Sequence, residues 1–273
     1  PHLMPYLAQL ADEVPHVVVV ADRSGADILI ADPVGLVAEE SVEGSHQHPL
    51  HKTSTEEWST LHFQHRVENA WAENARDVAA EVAHRVRRLG AELVVVAGDE
   101  RERTLITDGL AKQLPKGVDA VGVDAGGRAA GSSTEALAGA VHEAVLDRVR
   151  EQRDQALEKL REAVGRHDGA VTDTPAVCEA LRRAQVASIV LRDDPASTAM
   201  SWVGPEPLQL GLSADEVEAL GVDQPVQDRL DAAIVRALVY SDADLVVSPE
   251  LPPPARQGVA ALLRYTDAAT PTG

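Results

Sequence analysis

The sequence predicts an α/β protein of two domains, and three observations carry that expectation. The chain has 273 residues, which at roughly 100–200 residues per domain suggests two domains or one large one. Short β-branched and aliphatic runs alternate with stretches whose apolar residues recur every three or four positions, the marks of buried strands and amphipathic helices. A polar break at Gly165-Arg166-His167-Asp168-Gly169 is followed by a second alternation of the same kind. The boundary is therefore placed there, with domains at 1–165 and 166–273.

The elements follow in order. Residues 17–22 (Val-Val-Val-Val-Ala-Asp) read as a buried strand, Arg23-Ser24-Gly25 as its turn, and 26–30 as the returning strand; a third strand covers 36–42. This opening predicts an antiparallel meander rather than a β-α-β start. Between Glu43 and Trp58 apolar periodicity vanishes, leaving a long polar loop over 43–61; loops of this length in compact domains are functional or disordered. From His62 the steps through Val67, Ala70, Trp71, Ala75, Val78, Val82, Val86 and Leu89 predict a helix that Gly90 stops. A strand at 93–97, a helix at 101–114 and a strand at 118–123 come next. Ser133 or Thr134 caps a long helix over about 135–164, with Glu/Arg pairs at its exposed positions. In the second half the pattern predicts a helix at 174–183, strands at 187–191 and 200–203, a helix at 225–240, a strand at 244–247 and a closing segment at 258–264. That half reads as a three-layer α/β domain of about 100 residues.

Composition narrows the function. Hydrophobic residues make up 44% of the chain, which excludes global disorder, while aromatics at 3% leave the cores to Val, Leu, Ile and Ala. Forty-four acids against 25 bases give a formal charge of −19, so bulk electrostatics repel nucleic acid and any RNA contact needs a local cluster of cations. One cysteine, Cys178, forbids an internal disulfide and fits a reducing compartment. No run of 18 apolar residues and no signal-peptide pattern is visible, so a cytoplasmic location away from membranes is expected.

Five of the ten histidines stand at 46, 48, 51, 62 and 65. His62-x-x-His65 near His46-x-His48 has a spacing at which imidazoles can share an ion, but no cysteine is near and no metal site is assigned. The preferred reading is that His46, His48, His51 and His65, with Lys52, Gln64 and Arg66, contact RNA at a protruding tip; the plain alternative is a solvated polar loop. Trp58 and Phe63 either stack on an unpaired base there or anchor the loop onto the helix. Val94-Val95-Val96-Ala97-Gly98-Asp99 before a helix lacks G-x-G-x-x-G, and no P-loop occurs. It reads as an ordinary strand-to-helix turn with Asp99 or Glu100 at the helix start, and Arg101 and Arg103 as surface residues. Asp124-Ala125-Gly126-Gly127-Arg128 with Ser132-Ser133-Thr134 suits an anion at a helix N-terminus or, by default, a cap and hinge. Cys178 lies on an apolar helix face with Val177 and Leu181 and reads as core. No Ser-His-Asp or paired-carboxylate constellation follows from spacing, and no cofactor is expected.

The ending Gln257-Gly258-Val259-Ala260-Ala261-Leu262-Leu263-Arg264-Tyr265 resembles the closing strand of the third domain of Pelota and the archaeo-eukaryotic class I release factors. Asp244-Leu245-Val246-Val247-Ser248-Pro249-Glu250 resembles the strand and turn before it. The hairpin, the long polar loop and the helix from His62 are similar to that family's central domain. The order of elements matches over about residues 15–266. The bacterial branch found in actinobacteria, related to the hibernation factor Balon, resembles the chain best: His51-Lys52, Trp58, Phe63-Gln64-His65 and Ala176-Val177-Cys178-Glu179-Ala180-Leu181-Arg182 carry that similarity. The resemblance implies a release-factor central-like domain followed by a ribosomal L30e-like C-terminal domain.

Two departures shape the expected function. The family's release factors hydrolyse peptidyl-tRNA with Gly-Gly-Gln at the tip of the central loop, where glycines let the backbone bend and the Gln backbone N–H stabilises the reacting group. Here residues 43–65 contain one glycine, Gly44, and the only Gly-Gly pair, Gly126-Gly127, precedes Arg128. Residues 1–16 leave no room for the family's N-terminal domain, which reaches the decoding centre; it is expected either to have been lost or to lie outside these residues. The expectation is a non-enzymatic, ribosome-binding factor that occupies the A site in stress or hibernation, with the loop directed at rRNA near the peptidyl-transferase centre. For the C-terminal domain the resemblance implies contact with ribosomal proteins or a translational GTPase, elongation factor Tu in the bacterial branch; neither DNA nor membrane is an expected partner. The runner-up is an enzyme that rescues ribosomes by peptidyl-tRNA hydrolysis, with a loop His or Gln in place of Gly-Gly-Gln. A third class, a metal-dependent nuclease, requires metal at His62 and His65.

Overall fold

The computed structural model describes residues 8–9, 11–12, 14–22, 24–32, 35–43, 57–128, 133–192, 194, 196–255, 257–267 and 270; at 31–39, 43 and 57–71 it describes the backbone alone. The chain divides into two compact units within its second long helix, one built from Glu13–Val149 and the other centred on Arg150–Gly273.

The first unit is a mixed sheet between two helical layers. Strands β1 (His16–Asp22), β2 (Gly25–Asp32) and β3 (Gly35–Glu43) form the antiparallel meander, and β4 (Leu93–Gly98) and β5 (Asp119–Val123) extend it in parallel, giving the order β3-β2-β1-β4-β5. Period-two alternation sorts β1: Val17, Val19 and Ala21 face one core, Val18 and Val20 the other. The first core is closed by Val78, Val82 and Val86 of α1 (Glu57–Leu89) and by Ile106 and Leu110 of α2 (Glu100–Leu110). The second is closed by Leu137, Val141, Val145 and Val149 of α3 (Thr134–Gly165), whose first turn Ser133 caps by accepting the Ala136 N–H at 3.1 Å.

Three elements depart from the sequence reading by more than two residues. Helix α1 begins at Glu57, not His62: Trp58, Ser59 and Thr60 are weak helix formers that carry no apolar period, so the sequence pattern does not mark this first turn, where Glu57 complements the macrodipole. Helix α2 ends at Leu110, four residues short of the expected Leu114, with Ala111 as C-cap. The predicted helix at 225–240 is a strand followed by a helix. Pro225 precedes β10 (Val226–Arg229), which pairs with β8 (Met200–Val203), and only α6 (Leu230–Ser241) is helical.

The second unit is also three-layered. Between those elements it contains β6 (Ala170–Val171), α4 (Thr174–Arg182), β7 (Val186–Arg192), β9 (Leu210–Gly211) and α5 (Ala214–Glu218); β11 (Asp244–Ser248) and β12 (Val259–Leu263) close it. Its main sheet runs β11-β7-β12-β6, and a small antiparallel sheet runs β10-β8-β9. Val177 and Leu181 of α4 with Ile234 and Leu238 of α6 cover one face of the main sheet, and Leu157, Leu160 and Val164 of α3 cover the other. Strands β6 and β9 and helix α5 are too short to show a period, so the sequence pattern does not announce them.

Candidate functional site

The polar connection between β3 and α1 leaves the first unit at one end of its sheet. Register places that end: Asp22 faces Gly25, Gly25 faces Glu43, Ala21 faces Gly98, and Ala97 faces Val123. The C-terminal ends of β1, β3, β4 and β5 therefore meet where the connection departs, the end of α/β sheets at which ligand-binding segments gather.

Two arginines tie this end together. Arg103, expected at the surface, is mostly covered: its Nη1 donates to Gly98 O (3.3 Å), Val123 O (3.0 Å) and Asp124 Oδ1 (2.9 Å), joining the ends of β4 and β5. Its long stem reaches under the strand ends from the first turn of α2, which a surface reading of an Arg-Glu-Arg stretch does not reveal. Arg128 donates from Nε to Asp27 Oδ2 and from Nη1 to Asp22 Oδ1, both at 3.0 Å, and from Nη1 to Ser24 Oγ at 3.2 Å. Asp27 in turn accepts the Ser41 hydroxyl at 2.7 Å, so the cluster reaches β3 two residues before its end. Burial pushes Asp22 up, but hydrogen bonds from Ser24 and the Arg128 charge outweigh it and hold the carboxyl below the ordinary range. Asp27 is likewise held low by Ser41 and Arg128 against its own burial.

Gly98 and Asp99 settle the strand-to-helix turn. Gly98 has φ +136°, and a Cβ there would press into the Ala21 carbonyl oxygen; the close approach of β1 accounts for the glycine without a phosphate. Asp99 is the N-cap of α2, its Oδ1 accepting from the N–H groups of Arg101 (3.1 Å) and Glu102 (3.3 Å). Beside it Glu102 is buried, and its carboxylate oxygens have no hydrogen-bond partner; it lines a cavity of about 10 Å³ with Asp22, Gly25 and Asn74. That burial has no signature in the sequence.

Of the residues assigned to the tip, His46, His48, His51 and Lys52 lie outside the described residues. Trp58, expected on the loop, lies on the backbone of α1, as do His62, Phe63, Gln64, His65 and Arg66, which the sequence reading already placed in that helix; all are within its first three turns. Helical spacing sets Trp58, His62 and His65 at i, i+4 and i+7. Among the described residues no group of three His, Cys, Asp or Glu side chains is placed to hold a metal. Cys178 is fully buried in the second unit, and burial pushes its thiol up to about 11, which suits a core residue rather than a nucleophile. No described helix is long and apolar enough to cross a membrane.

Comparison with known proteins agrees with this architecture. The family model described as bacterial archaeo-eukaryotic release factor family 2 matches residues 15–166, more than half of the chain. Two uncharacterized proteins of Mycobacterium tuberculosis, MT2704 and Rv2629, are each 26% identical over 267 residues, covering 96% of this chain and 70% of theirs. Among solved structures, that of ribosome-bound archaeal Pelota and ABCE1 superposes with a TM-score of 0.52 at 20% identity, covering 91% of this chain. The chain spans 61% of the length of that relative. Dom34 of S. cerevisiae, a translation termination-like factor that interacts with Hbs1, superposes with a TM-score of 0.50 at 8% identity, over 98% of this chain and 68% of its own. These structural likenesses establish a shared fold.

Proposed function

The chain belongs to bacterial archaeo-eukaryotic release factor family 2, and on that premise we propose that it binds the ribosome and occupies the A site in stress or hibernation without hydrolysing peptidyl-tRNA. One observation carries the second half of this reading. The resemblance puts the Gly-Gly-Gln of the family's release factors in the segment from the end of β3 into the first turns of α1, and across 43–65 this chain has the single glycine Gly44. A backbone without paired glycines loses the freedom to fold an amide against the reacting ester. The ribosome as target is supported by the ribosome-bound state of the archaeal Pelota that the chain resembles. The second unit then contacts ribosomal proteins or a translational GTPase, elongation factor Tu in bacteria, a protein partnership that suits a chain of net charge −19.

Co-sedimentation with vacant 70S ribosomes, with and without elongation factor Tu, tests the reading. The protein pellets with ribosomes, and the Gln64→Ala/His65→Ala variant keeps most of that affinity, while neither protein releases peptide from ribosome-bound peptidyl-tRNA. Release by the wild type that the double variant loses, with binding intact, would establish the hydrolase instead. Absence of pelleting at every salt concentration would remove the ribosome from the account.

A further inference from the structure

A ribosome-binding role requires this acidic chain to hold rRNA somewhere, and the inference drawn from that requirement rests on the proposed function. We propose that the C-terminal ends of α1 and α2 form a second RNA contact, a cationic patch of Arg87, Arg88, Lys112 and Lys116 that takes the phosphate backbone. All four residues are exposed. They are drawn from two segments that the fold joins, since Arg87 Nη1 donates to the Gln113 carbonyl at 3.1 Å and so fixes the last turn of α1 against the chain leaving α2. The chain has only four lysines, at 52, 112, 116 and 159, so finding two of them beside an Arg-Arg pair makes this end cationic on a molecule that is otherwise acidic.

The neighbouring acids do not cancel the patch. Asp119 is bound at 2.6 Å by Arg148, which also donates to Gly117 O at 2.6 Å. Asp108, one turn before Lys112, and Glu92, just before β4, are the other nearby acids in sequence, two charges against four. Cations in a last helical turn also offset the macrodipole, which accounts for part of the role of Arg87 and Arg88. It does not account for Lys116, which lies beyond the end of α2 and after Pro115. Helix α1 has 33 residues, roughly 50 Å at 1.5 Å per residue. The patch therefore stands at the opposite end of that helix from the polar connection. Binding through phosphates carries no base specificity and predicts a strong salt dependence.

The test reverses charge at the patch while sparing the structural bond of Arg87. The variant Arg88→Glu/Lys112→Glu/Lys116→Glu is compared with wild type and with Lys159→Glu/Arg161→Glu/Arg166→Glu, an equal charge change on exposed positions of the second unit. Binding to vacant 70S ribosomes and to naked 23S rRNA is measured across salt, with circular dichroism melts confirming folding. The patch variant binds both at least about tenfold more weakly, and the slope of log affinity against log salt falls by about one for each phosphate that is no longer neutralised; the control changes little. Equal binding by wild type and patch variant, or an equal loss in the control, overturns the proposal. If wild type fails to bind ribosomes the proposed function falls, and the naked-RNA arm still decides the patch: wild-type binding that the patch variant loses sustains it, and no difference refutes it.

Discussion

Arg128 connects parts of the chain that are far apart in sequence: its partners Asp22, Ser24 and Asp27 precede it by about a hundred residues. Through Asp27 and Ser41 it secures the end of β3 from which the polar connection leaves. Arg128→Ala removes three charge-assisted or polar bonds and leaves two carboxylates close together, so the first unit loses on the order of 1–2 kcal/mol, discounted for the partial exposure of both aspartates. The pH dependence has a definite sign. Asp22 and Asp27 are depressed in the folded chain, so their contribution is present above the ordinary aspartate value of about 3.9 and fades as pH falls through the folded values. Urea unfolding followed by circular dichroism at pH 7 and near pH 3 then gives a large wild-type-to-variant gap at the first and a small one at the second. An undiminished gap in acid would mean that Arg128 acts by packing and not by charge. At this scale the sequence singled out Gly126-Gly127-Arg128 as a cap and hinge, and Cys178 as core, from local pattern alone. It could not reveal what Arg128 grips, nor that Arg103 is covered, because partners across about a hundred residues leave no local spacing to read.

Elements with strong internal periodicity were legible, and weakly patterned ones were not. The Val-rich runs of β1 and β4 and the three- and four-residue steps of α1 declare their state without help. Strand β10 does not: Val-Gln-Asp-Arg is four residues long, and its pairing with β8 overrides the helical continuation suggested by the following Leu-Asp-Ala-Ala-Ile. Two glycines of the first unit, Gly90 and Gly98, separate local from tertiary causes. Gly90 ends α1 at φ +65° with open space where a side chain would stand, whereas Gly98 combines φ +136° with the carbonyl of Ala21 in the way. Gly90→Ala therefore costs about 1–2 kcal/mol, the left-handed penalty alone, while Gly98→Ala costs about 3 kcal/mol or more because β1 and β4 must part. Thermal melts of both variants check the ranking, and equal losses would contradict the close-approach account of Gly98.

Across the whole molecule the dominant physical fact is the charge of −19, which repels itself in the compact state. Raising ionic strength from about 0.02 to 0.15 M shortens the screening length to about 8 Å, so the melting temperature rises by a few degrees; a fall would show that the ion pairs contribute more than the net repulsion. Sequence alone determined that the chain is α/β, that its second half repeats the strand-helix alternation, and that Gly-Gly-Gln is missing from 43–65. Each of these is written in composition, local period or contiguous motif, and the family likeness rests on the same kind of strings. Tertiary structure alone decided that Trp58 rides on a helix, that Arg103 and Arg128 bind the strand ends beside the departing connection, and that Arg87, Arg88, Lys112 and Lys116 share one end of the first unit. The reason is common to all three: helix ends, strand register and side-chain reach are set by which segments pack together, and an acidic chain shows where its cations gather only after folding brings distant segments side by side.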